Sequence, residues 1–368
     1  MNCTAFFHAL CDELSAVDVA GNSVACLEVM RGKVHVVPGS MCLERWHQEL
    51  DFTRRRRAEA MRSFLEDAAP RDASGALLLE THDVPTLSPV AVAHARLHGV
   101  PVIATSARLG TFERISHGWW SRHYSSTLRA RHVLLPDFDF LASRGRAKLR
   151  GEVSRLDRAW HSKVARVVFR GQCSGFSPKV TTDLSLNARI NLSLHARMVC
   201  PPARCKSWDV GITSCDRNRR FPRAVAKILR RAGVVKAALN RSEALRARGI
   251  FDVDGNSNAW EGFFWKLLSS SVVLKVRGFE QWYYDELLPW RHYVPVREDL
   301  SDVDTAVSYV LNREHDEELQ RIAARANEYM RSPASAVRYQ EMIRRVRTWL
   351  TEVLAAGNGY RAGKATTC

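Results

Sequence analysis

Two stretches of the C-terminal half carry residues whose types and spacing could bind a phosphorylated ligand. The first, Phe251–Leu268, reads FDVDGNSNAWEGFFWKLL and predicts a strand, a turn at Gly255 and an apolar helix. The glycine permits positive φ, and the polar residues after it are good helix N-caps. This order directs backbone N–H groups at an anion, although a capped helix without a ligand has the same pattern. The residues concerned are Asp254, Gly255, Asn256, Ser257, Asn258, Ala259 and Trp260.

The second stretch, residues 269–303, predicts a buried strand, an aromatic-rich turn and a stiff segment between Pro289 and Pro295. Aromatic rings for stacking and a few well-placed polar groups are what a nucleoside requires. Glu280, Gln281 and the neighbouring aromatic residues are therefore candidates to bind a base and a ribose.

The elements that must position these residues alternate between strand type and helix type, which predicts an α/β fold. A stretch rich in Ser, Thr and Gly, between about Gly171 and Asn187, follows a strand and marks a domain boundary. Two Rossmann-like domains facing a cleft are expected. Strands are predicted at Ala76–Glu80, Val100–Ala104, His132–Leu135, Arg166–Arg170 and Ser271–Val276, and helices at Arg54–Ala68, Pro222–Ala232, Asn258–Leu268, Asp302–Asn312, His315–Met330 and Ala334–Leu354.

Composition bounds the class of protein. The 368 residues suit about two domains, and a hydrophobic content of 46% is sufficient for packed cores. The formal net charge of +16 attracts polyanions, but it does not distinguish nucleic acid, acidic lipids and phosphorylated small molecules. The run Arg54–Arg57 has two interpretations, a polyanion contact or a solvated helix face.

The sequence contains no apolar run of about 18 residues and no pattern of a signal peptide at its start. These features predict a cytoplasmic protein, with peripheral contact at a membrane surface as an option. The cysteines number nine, which is odd, and none form a CxxC pair. Free thiols and no metal site are therefore expected.

Five segments follow one another in an order that resembles glycosyltransferase family 90. They are THDVP at Thr81–Pro85, LPDFDF at Leu135–Phe140, FRGQCSG at Phe169–Gly175, and the blocks DGNSNAWEGFFWKLLSSSVVLKV and WYYDELLPWRHYVPVREDLSDV. The resemblance extends from about Leu77 to Met330. The family includes Rumi-type protein O-glucosyltransferases, fungal capsule xylosyltransferases and bacterial lipopolysaccharide-modifying enzymes.

The resemblance implies a GT-B fold in which the second Rossmann-like domain binds most of the donor. It also implies an inverting transfer of glucose or xylose from a UDP-sugar, without a metal or another cofactor. Such a transfer is a single displacement that needs one base. Asp83 matches the acidic turn that holds the family's catalytic aspartate, and the adjacent His82 is second choice. The alternative for Asp83 is an Asx-turn before Val84 and Pro85.

Without a metal, the diphosphate of the donor must be met by cations and backbone N–H groups. The resemblance favours Arg189 as the phosphate arginine, with Lys179 as a rival. Rumi-type enzymes carry an arginine on the helix after the glycine turn, where this sequence has Glu261 and Gly262. The phosphates are therefore expected to rest on backbone N–H groups of Asn256–Trp260. Further candidates are Arg170, Gln172 (where the family has Ser), Lys266 and Lys275.

The predicted domains are 1–180 on the acceptor side, 181–332 for the sugar nucleotide, and 333–368 for a helix and tail returning toward the first. The expected partners are a UDP-sugar and a glycan, lipid-linked or protein acceptor, with an anionic membrane as an option and no specific nucleic acid. A catalytically degenerate family member is one alternative. A nucleic-acid-binding protein using Arg54–Arg57, Arg217, Arg219 and Arg220 is another. An NAD-dependent oxidoreductase is disfavoured because no GxGxxG follows a strand.

Overall fold

The computed structural model describes residues 24–36, 52–80, 100–105, 107–108, 112–114, 132–175, 183–201, 205–215, 223–276, 278–284, 286–332 and 339–364. The strands are β1 (Val24–Met30), β2 (Lys33–Val36), β3 (Gly75–Glu80), β4 (Val102–Ala104), β5 (Ala107–Arg108), β6 (Phe112–Arg114), β7 (His132–Leu134), β8 (Val164–Gly171), β9 (Trp208–Ile212), β10 (Ala247–Val253), β11 (Val272–Val276), β12 (Phe279–Glu280) and β13 (Val294–Val296). The helices are α1 (Phe52–Ala68), α2 (Phe138–Ala142), α3 (Ala147–Leu156), α4 (Ala188–Val199), α5 (Arg223–Arg231), α6 (Arg241–Ala244), α7 (Glu261–Leu267), α8 (Val303–Leu311), α9 (Asp316–Arg331) and α10 (Tyr339–Lys364).

The chain divides into two compact units. Each contains a sheet with parallel strand pairs and several helices, in agreement with the predicted α/β class. The first unit comprises Met1–Gly145, Glu280–Asp285 and Ala336–Cys368, and the second comprises Arg146–Phe279 and Glu286–Ser335. The second unit begins at Arg146 and includes β8, which pairs with β10 and β9 of its sheet.

The first unit is built on a six-stranded mixed sheet with the order β2-β1-β3-β4-β7-β6. The hairpin β1–β2 and the pair β1–β3 are antiparallel, and the remaining pairs are parallel. Apolar side chains of β3 are buried with one face of α1 and one face of α10. Helix α10 therefore returns to the unit in which the chain begins. The buried residues on these three elements include Leu77, Leu78, Leu79, Met61, Phe64, Leu65, Met342, Val346, Trp349 and Leu350.

The second unit is built on a fully parallel sheet of five strands with the order β13-β11-β10-β8-β9. From β8 the chain moves to β9 on one side and then crosses to β10 on the other side. The direction of winding thus reverses between β8 and β10. Ligands of open parallel sheets bind at such a reversal, beyond the carboxyl ends of the strands.

Both faces of this second sheet are covered, as expected for strands that are apolar throughout. Val167 and Phe169 of β8 face a large core that includes residues of α4, α8 and α9. Val168, between them, faces the opposite side and packs with Leu245 and Ile250. The alternation follows from the two-residue period of a strand.

Four of the nine cysteines are paired in this unit, so the expectation of free thiols is wrong for them. Cys173 is bonded to Cys215 and Cys200 to Cys205, each pair with a Cα–Cα distance of 5.0 Å. The first bond joins the segments that follow β8 and β9. Parallel neighbours end at the same edge of a sheet, and this brings two cysteines 42 residues apart into contact.

Across the described ranges, no helix combines the length and the apolar character needed to cross a bilayer.

Tight packing at Gly249 leads to the first prediction. A Cβ at this position of β10 would lie 2.8 Å from Val167 Cγ1 and 2.9 Å from Leu274 Cδ1. We expect Gly249→Ala to lower the free energy of unfolding of the second unit by about 1–3 kcal/mol, because the core is overpacked. Gly151→Ala is the matched control, since nothing lies within 4 Å of its new methyl group on α3. It should raise stability by roughly 0.5–1 kcal/mol. Urea unfolding of both variants measures the difference, and equal effects would contradict this packing.

Candidate functional site

Two loops meet at the winding reversal of the second sheet. One follows β8 and contains residues 172–175, and the other follows β10 and contains residues 254–260. Their strands are parallel neighbours, so both loops leave the same edge. Gly175 N donates to Asn256 Oδ1 at 2.7 Å, and Asn187 Nδ2 donates to Ser174 O at 2.8 Å. The sequence-predicted turn at Gly255 therefore has a partner loop.

Gly255 is required here for space. A Cβ on Gly255 would lie 2.2 Å from Ser174 Oγ and 2.9 Å from Arg189 Cζ. The expectation that this glycine supplies positive φ is wrong. In the two loops that conformation belongs to Gly175 and, less favourably, to Trp260 at φ 40°.

Arg189 clamps the two loops together. It lies in the first turn of α4, where the Asn187 side chain caps the helix by accepting from Arg189 N at 3.1 Å. Its guanidinium donates to Gln172 O, Ser174 Oγ and Val253 O at 3.1, 2.5 and 2.9 Å. Nε donates to Val253 O and Asp254 O, both at 3.1 Å. One of its five N–H groups has no acceptor in the described residues.

A buried charge network lies directly behind the second loop. Asp252 is fully buried, and its carboxylate contacts Lys266 Nζ at 2.5 Å and Lys275 Nζ at 2.7 Å. Lys275 Nζ also contacts Asp254 Oδ1 at 2.6 Å. Asp254 Oδ2 accepts from the backbone of Gly278 and Phe279 at 3.1 and 3.0 Å. Each buried carboxylate is therefore paired with a cation, as burial requires.

The pKa values follow from this pairing. Burial alone would raise the pKa of Asp252, but the adjacent ammonium groups outweigh it and lower the pKa to about 2. Burial lowers the pKa of Lys266, and Asp252 offsets this only in part. For Lys275, the two carboxylates outweigh burial and raise the pKa. Burial lowers the pKa of Arg189, and Asp254 and Asp252 oppose that effect.

The two lysines and the two carboxylates of this network balance one another. The nearby Arg189 guanidinium adds a third cation, so the edge where the loops meet carries one net positive charge. Because the surroundings are of low polarity, this charge attracts an anion more strongly than the same charge would in water. The arrangement can therefore attract an anion without exposing a flexible cation.

The end of the second loop combines strain with an unsatisfied polar group. Gly255 N donates to Ser257 O at 2.7 Å, which closes a tight turn. Ser257 Oγ is buried and has no hydrogen-bond partner in the described residues. Trp260 has φ 40° and ψ −117°, which is unfavourable for a residue with a side chain. Such features are typical of a segment that completes its contacts when a ligand is present.

Glu261, at the start of α7, is part of a surface ion-pair group. Its carboxylate contacts the Arg241 guanidinium, which also donates to both oxygens of Glu152 at 2.8 Å. The residue that stands in place of the family's helix arginine thus connects α3, α6 and α7. Its negative charge is held by Arg241 and gives no support to a bound anion.

The structure does not bring all predicted site residues together. Arg170 donates to Ala237 O at 2.9 Å and to the Asp209 carboxylate at 2.7 Å, on the β9 side of the sheet. Gln172 contributes its backbone carbonyl to Arg189, and its side chain is exposed. Asp83, His82 and Lys179 lie outside the described residues.

The predicted nucleoside residues belong to the first unit. Gln281 is fully buried there, and its amide atoms have no partner in the described residues. Trp282, Tyr283 and Tyr284 are also buried and pack edge-on with one another and with Phe140. These aromatic side chains are therefore core residues of that unit in this structure.

Sequence reasoning missed the roles of Asp252, Ser174 and Asn187. The sequence offered a signal for Asp252, because an acidic residue inside an apolar strand needs a buried partner. Ser174 and Asn187 are ordinary loop residues, and only the contact between the loops distinguishes them. The described residues contain no group of three or more His, Cys, Asp or Glu side chains that could hold a metal ion.

Comparison with known proteins adds independent findings. A family model described as glycosyl transferase family 90 matches residues 122–340, which include both loops and the charge network. Uncharacterized protein 035R of invertebrate iridescent virus 3 is 29% identical over 178 residues, covering 47% of this chain and 15% of that protein. Protein O-glucosyltransferase 3 of Rattus norvegicus is 40% identical over 73 residues, covering 20% of this chain and 14% of that protein.

Protein O-glucosyltransferase 2 of Danio rerio is 35% identical over 82 residues, which cover 22% of this chain and 16% of that protein. The chain therefore spans only a small part of the length of these relatives.

The pairing of Asp252 leads to a pH prediction. Its stabilising contribution is full above the pKa of an unfolded Asp, about 4, and is lost as the pH falls through about 2. At neutral pH we expect Asp252→Asn to lower the free energy of unfolding by about 3–5 kcal/mol, because two buried ammonium groups lose their partner. The difference from the unmodified protein should shrink between about pH 4 and pH 2.

Chemical denaturation across this pH range measures the effect. Asp304→Asn, at a mostly exposed acid paired with His195, is the control and should cost at most about 1 kcal/mol. A difference for Asp252→Asn that does not change with pH would refute the assigned pairing.

Proposed function

The chain belongs to glycosyltransferase family 90, and on that premise we propose that it is an inverting, metal-independent transferase of the GT-B type. It moves a sugar, glucose or xylose, from a UDP-sugar to a hydroxyl group of a glycan, a lipid-linked glycan or a protein. One observation carries the proposal. At the winding reversal of the second sheet, Arg189 clamps two loops over a buried network of two lysines and two carboxylates, and these five groups together carry one net positive charge.

The donor diphosphate is held at this edge. The backbone N–H groups of Asn256–Trp260 and the remaining N–H of Arg189 supply donors, and Ser257 Oγ gains the partner that it lacks. The network behind the loop stabilises the charge that develops on the leaving diphosphate. Lys266 and Lys275 act through Asp252 and Asp254, so their role is to fix the loop and set its potential.

The reaction is a single displacement. The Asp83 carboxylate takes the proton of the acceptor hydroxyl, and the hydroxyl oxygen forms a bond to the anomeric carbon. The bond between that carbon and the diphosphate oxygen breaks, and UDP leaves with the electron pair. Inversion follows because attack and departure occur on opposite faces of the sugar.

Binding of UDP tests the donor site. UDP at about a hundred times its Kd should stabilise the second unit by roughly 2.7 kcal/mol, with or without a chelator. Gly255→Ala should abolish this stabilisation, because its methyl group displaces Ser174 and Arg189. Gly151→Ala should retain it. The measurement is the thermal unfolding midpoint, and the proposal is wrong if UDP has no effect on the unmodified chain or acts only with a divalent metal.

Asp83→Asn tests the base. It should leave the UDP-sugar Kd within about twofold and lower the transfer rate by roughly 100-fold or more, because a positioned base contributes about that factor. His82→Gln is the control and should retain transfer. Release of UDP from UDP-glucose and from UDP-xylose, with and without a candidate acceptor, measures the rates. If Asp83→Asn transfers at the normal rate, the base lies elsewhere.

A further inference from the structure

The ends of α4 and α5 lie side by side on the second unit. The two helices share a buried core. The chain leaves α5 through Gly233 at φ 68°, and a Cβ there would lie 3.4 Å from Arg197 Nε at the end of α4. The exposed residues of these helix ends and of the outer side of α5 form what we call the basic face: Arg197, Met198, Val199, Arg223, Lys227, Ile228, Arg230 and Arg231.

The basic face carries five positive charges and no negative one. Neither α4 nor α5 contains an acidic residue. Arg197, Arg223, Lys227 and Arg231 form no ion pair with an acid in the described ranges. Most other exposed helices of this unit, such as α9 with three acids in its first turn, mix both signs. Within the described residues, these four of the five charges therefore have no acidic partner.

Helix stability accounts for only three of the five cations. Arg197, Arg230 and Arg231 lie in last turns, where the helix dipole favours a positive charge. Arg223 lies in the first turn of α5, where the dipole opposes it and no acid compensates. Lys227, in the middle of the helix, gains nothing from the dipole. An external anionic partner would stabilise Arg223 and Lys227, whose charges no acid in the described ranges compensates.

Three aliphatic side chains project among the cations. Met198, Ile228 and Val199 are 71%, 52% and 45% exposed. Single-stranded nucleic acid favours aromatic rings on which its bases stack, and the basic face contains none. Anionic lipid surfaces instead favour Lys and Arg beside aliphatic groups that enter the boundary between head groups and acyl chains.

We propose that the basic face binds the surface of an anionic membrane. The cations contact the phosphate and carboxylate groups of the lipids, and the long Arg and Lys side chains leave Met198, Val199 and Ile228 free to insert. The net charge of +16 adds long-range attraction. This docking does not depend on the proposed sugar transfer, and either can fail without the other.

Vesicle flotation of the full chain tests the proposal at about 0.1 M salt. The chain should float with vesicles containing about one-third phosphatidylserine and remain unbound with pure phosphatidylcholine. The triple variant R223Q/K227Q/R231Q should weaken vesicle binding on the order of a hundredfold, since each cation contributes about fivefold. The control K148Q/R155Q/R158Q removes the same charge from exposed positions around α3 and should change binding less than about threefold.

A second pair of variants isolates the aliphatic contribution. M198Q/I228Q keeps every charge and should weaken vesicle binding roughly tenfold, because two inserted side chains become polar. Leu186→Gln is the control, since this exposed residue lies before the opposite end of α4, and it should have no effect.

Three outcomes would overturn the proposal. They are equal binding to neutral and anionic vesicles, equal losses in the α5 variant and its charge control, and binding of single-stranded RNA through the basic face without binding of anionic vesicles. Thermal unfolding midpoints within a few degrees of the unmodified chain show that the variants are folded, and all substituted side chains are exposed.

Discussion

The arrangement of the second unit depends on one constraint, the burial of the Asp252 carboxylate inside a parallel sheet. A carboxylate without water is stable only if cations or hydrogen-bond donors meet its oxygens. Lys275, on the neighbouring strand, meets one oxygen, and Lys266 reaches the other from α7. Lys275 then also holds Asp254, and Asp254 fixes the backbone that leads to β12. Ion pairs between these lysines and carboxylates therefore fix the position of the loop after β10.

Arg189 supplies a second constraint, because it holds the loop after β10 against the loop after β8. Its guanidinium contacts carbonyls of both loops, so the edge of the sheet is fixed before any ligand arrives. Preorganised groups need little rearrangement when charge develops on a substrate. The strained Trp260 and the unsatisfied Ser257 hydroxyl lie in the same short segment. Strained and unsatisfied groups held by a rigid scaffold are characteristic of binding and catalytic sites.

The sequence predicted the elements whose pattern is local. The periodicity of apolar residues predicted the strand Val272–Val276 and the helices that end at Ala68, Arg231 and Arg331. The structure confirms these elements. Helix α4 was missed, because Ser193 and Asn191 interrupt its apolar pattern, and its first turn is defined by a cap at Asn187. The hairpin β1–β2 was missed although both strands are rich in Val and a two-residue turn at Arg31 and Gly32, both at positive φ, joins them. The turn at Gly255 was predicted, but the glycine is required because the distant Ser174 leaves no room for a side chain. Contacts between loops about 80 residues apart, such as Gly175 with Asn256, have no periodic signal.

The close fit of Gly255 against Ser174 also has an evolutionary consequence. The Ser174 side chain and the Arg189 guanidinium fill the space that a side chain at position 255 would need. A side chain at 255 requires a smaller residue at 174, and a shorter cation at 189 would leave carbonyls of both loops without donors. Among related chains these three positions should change together or not at all, whatever sugar each protein handles.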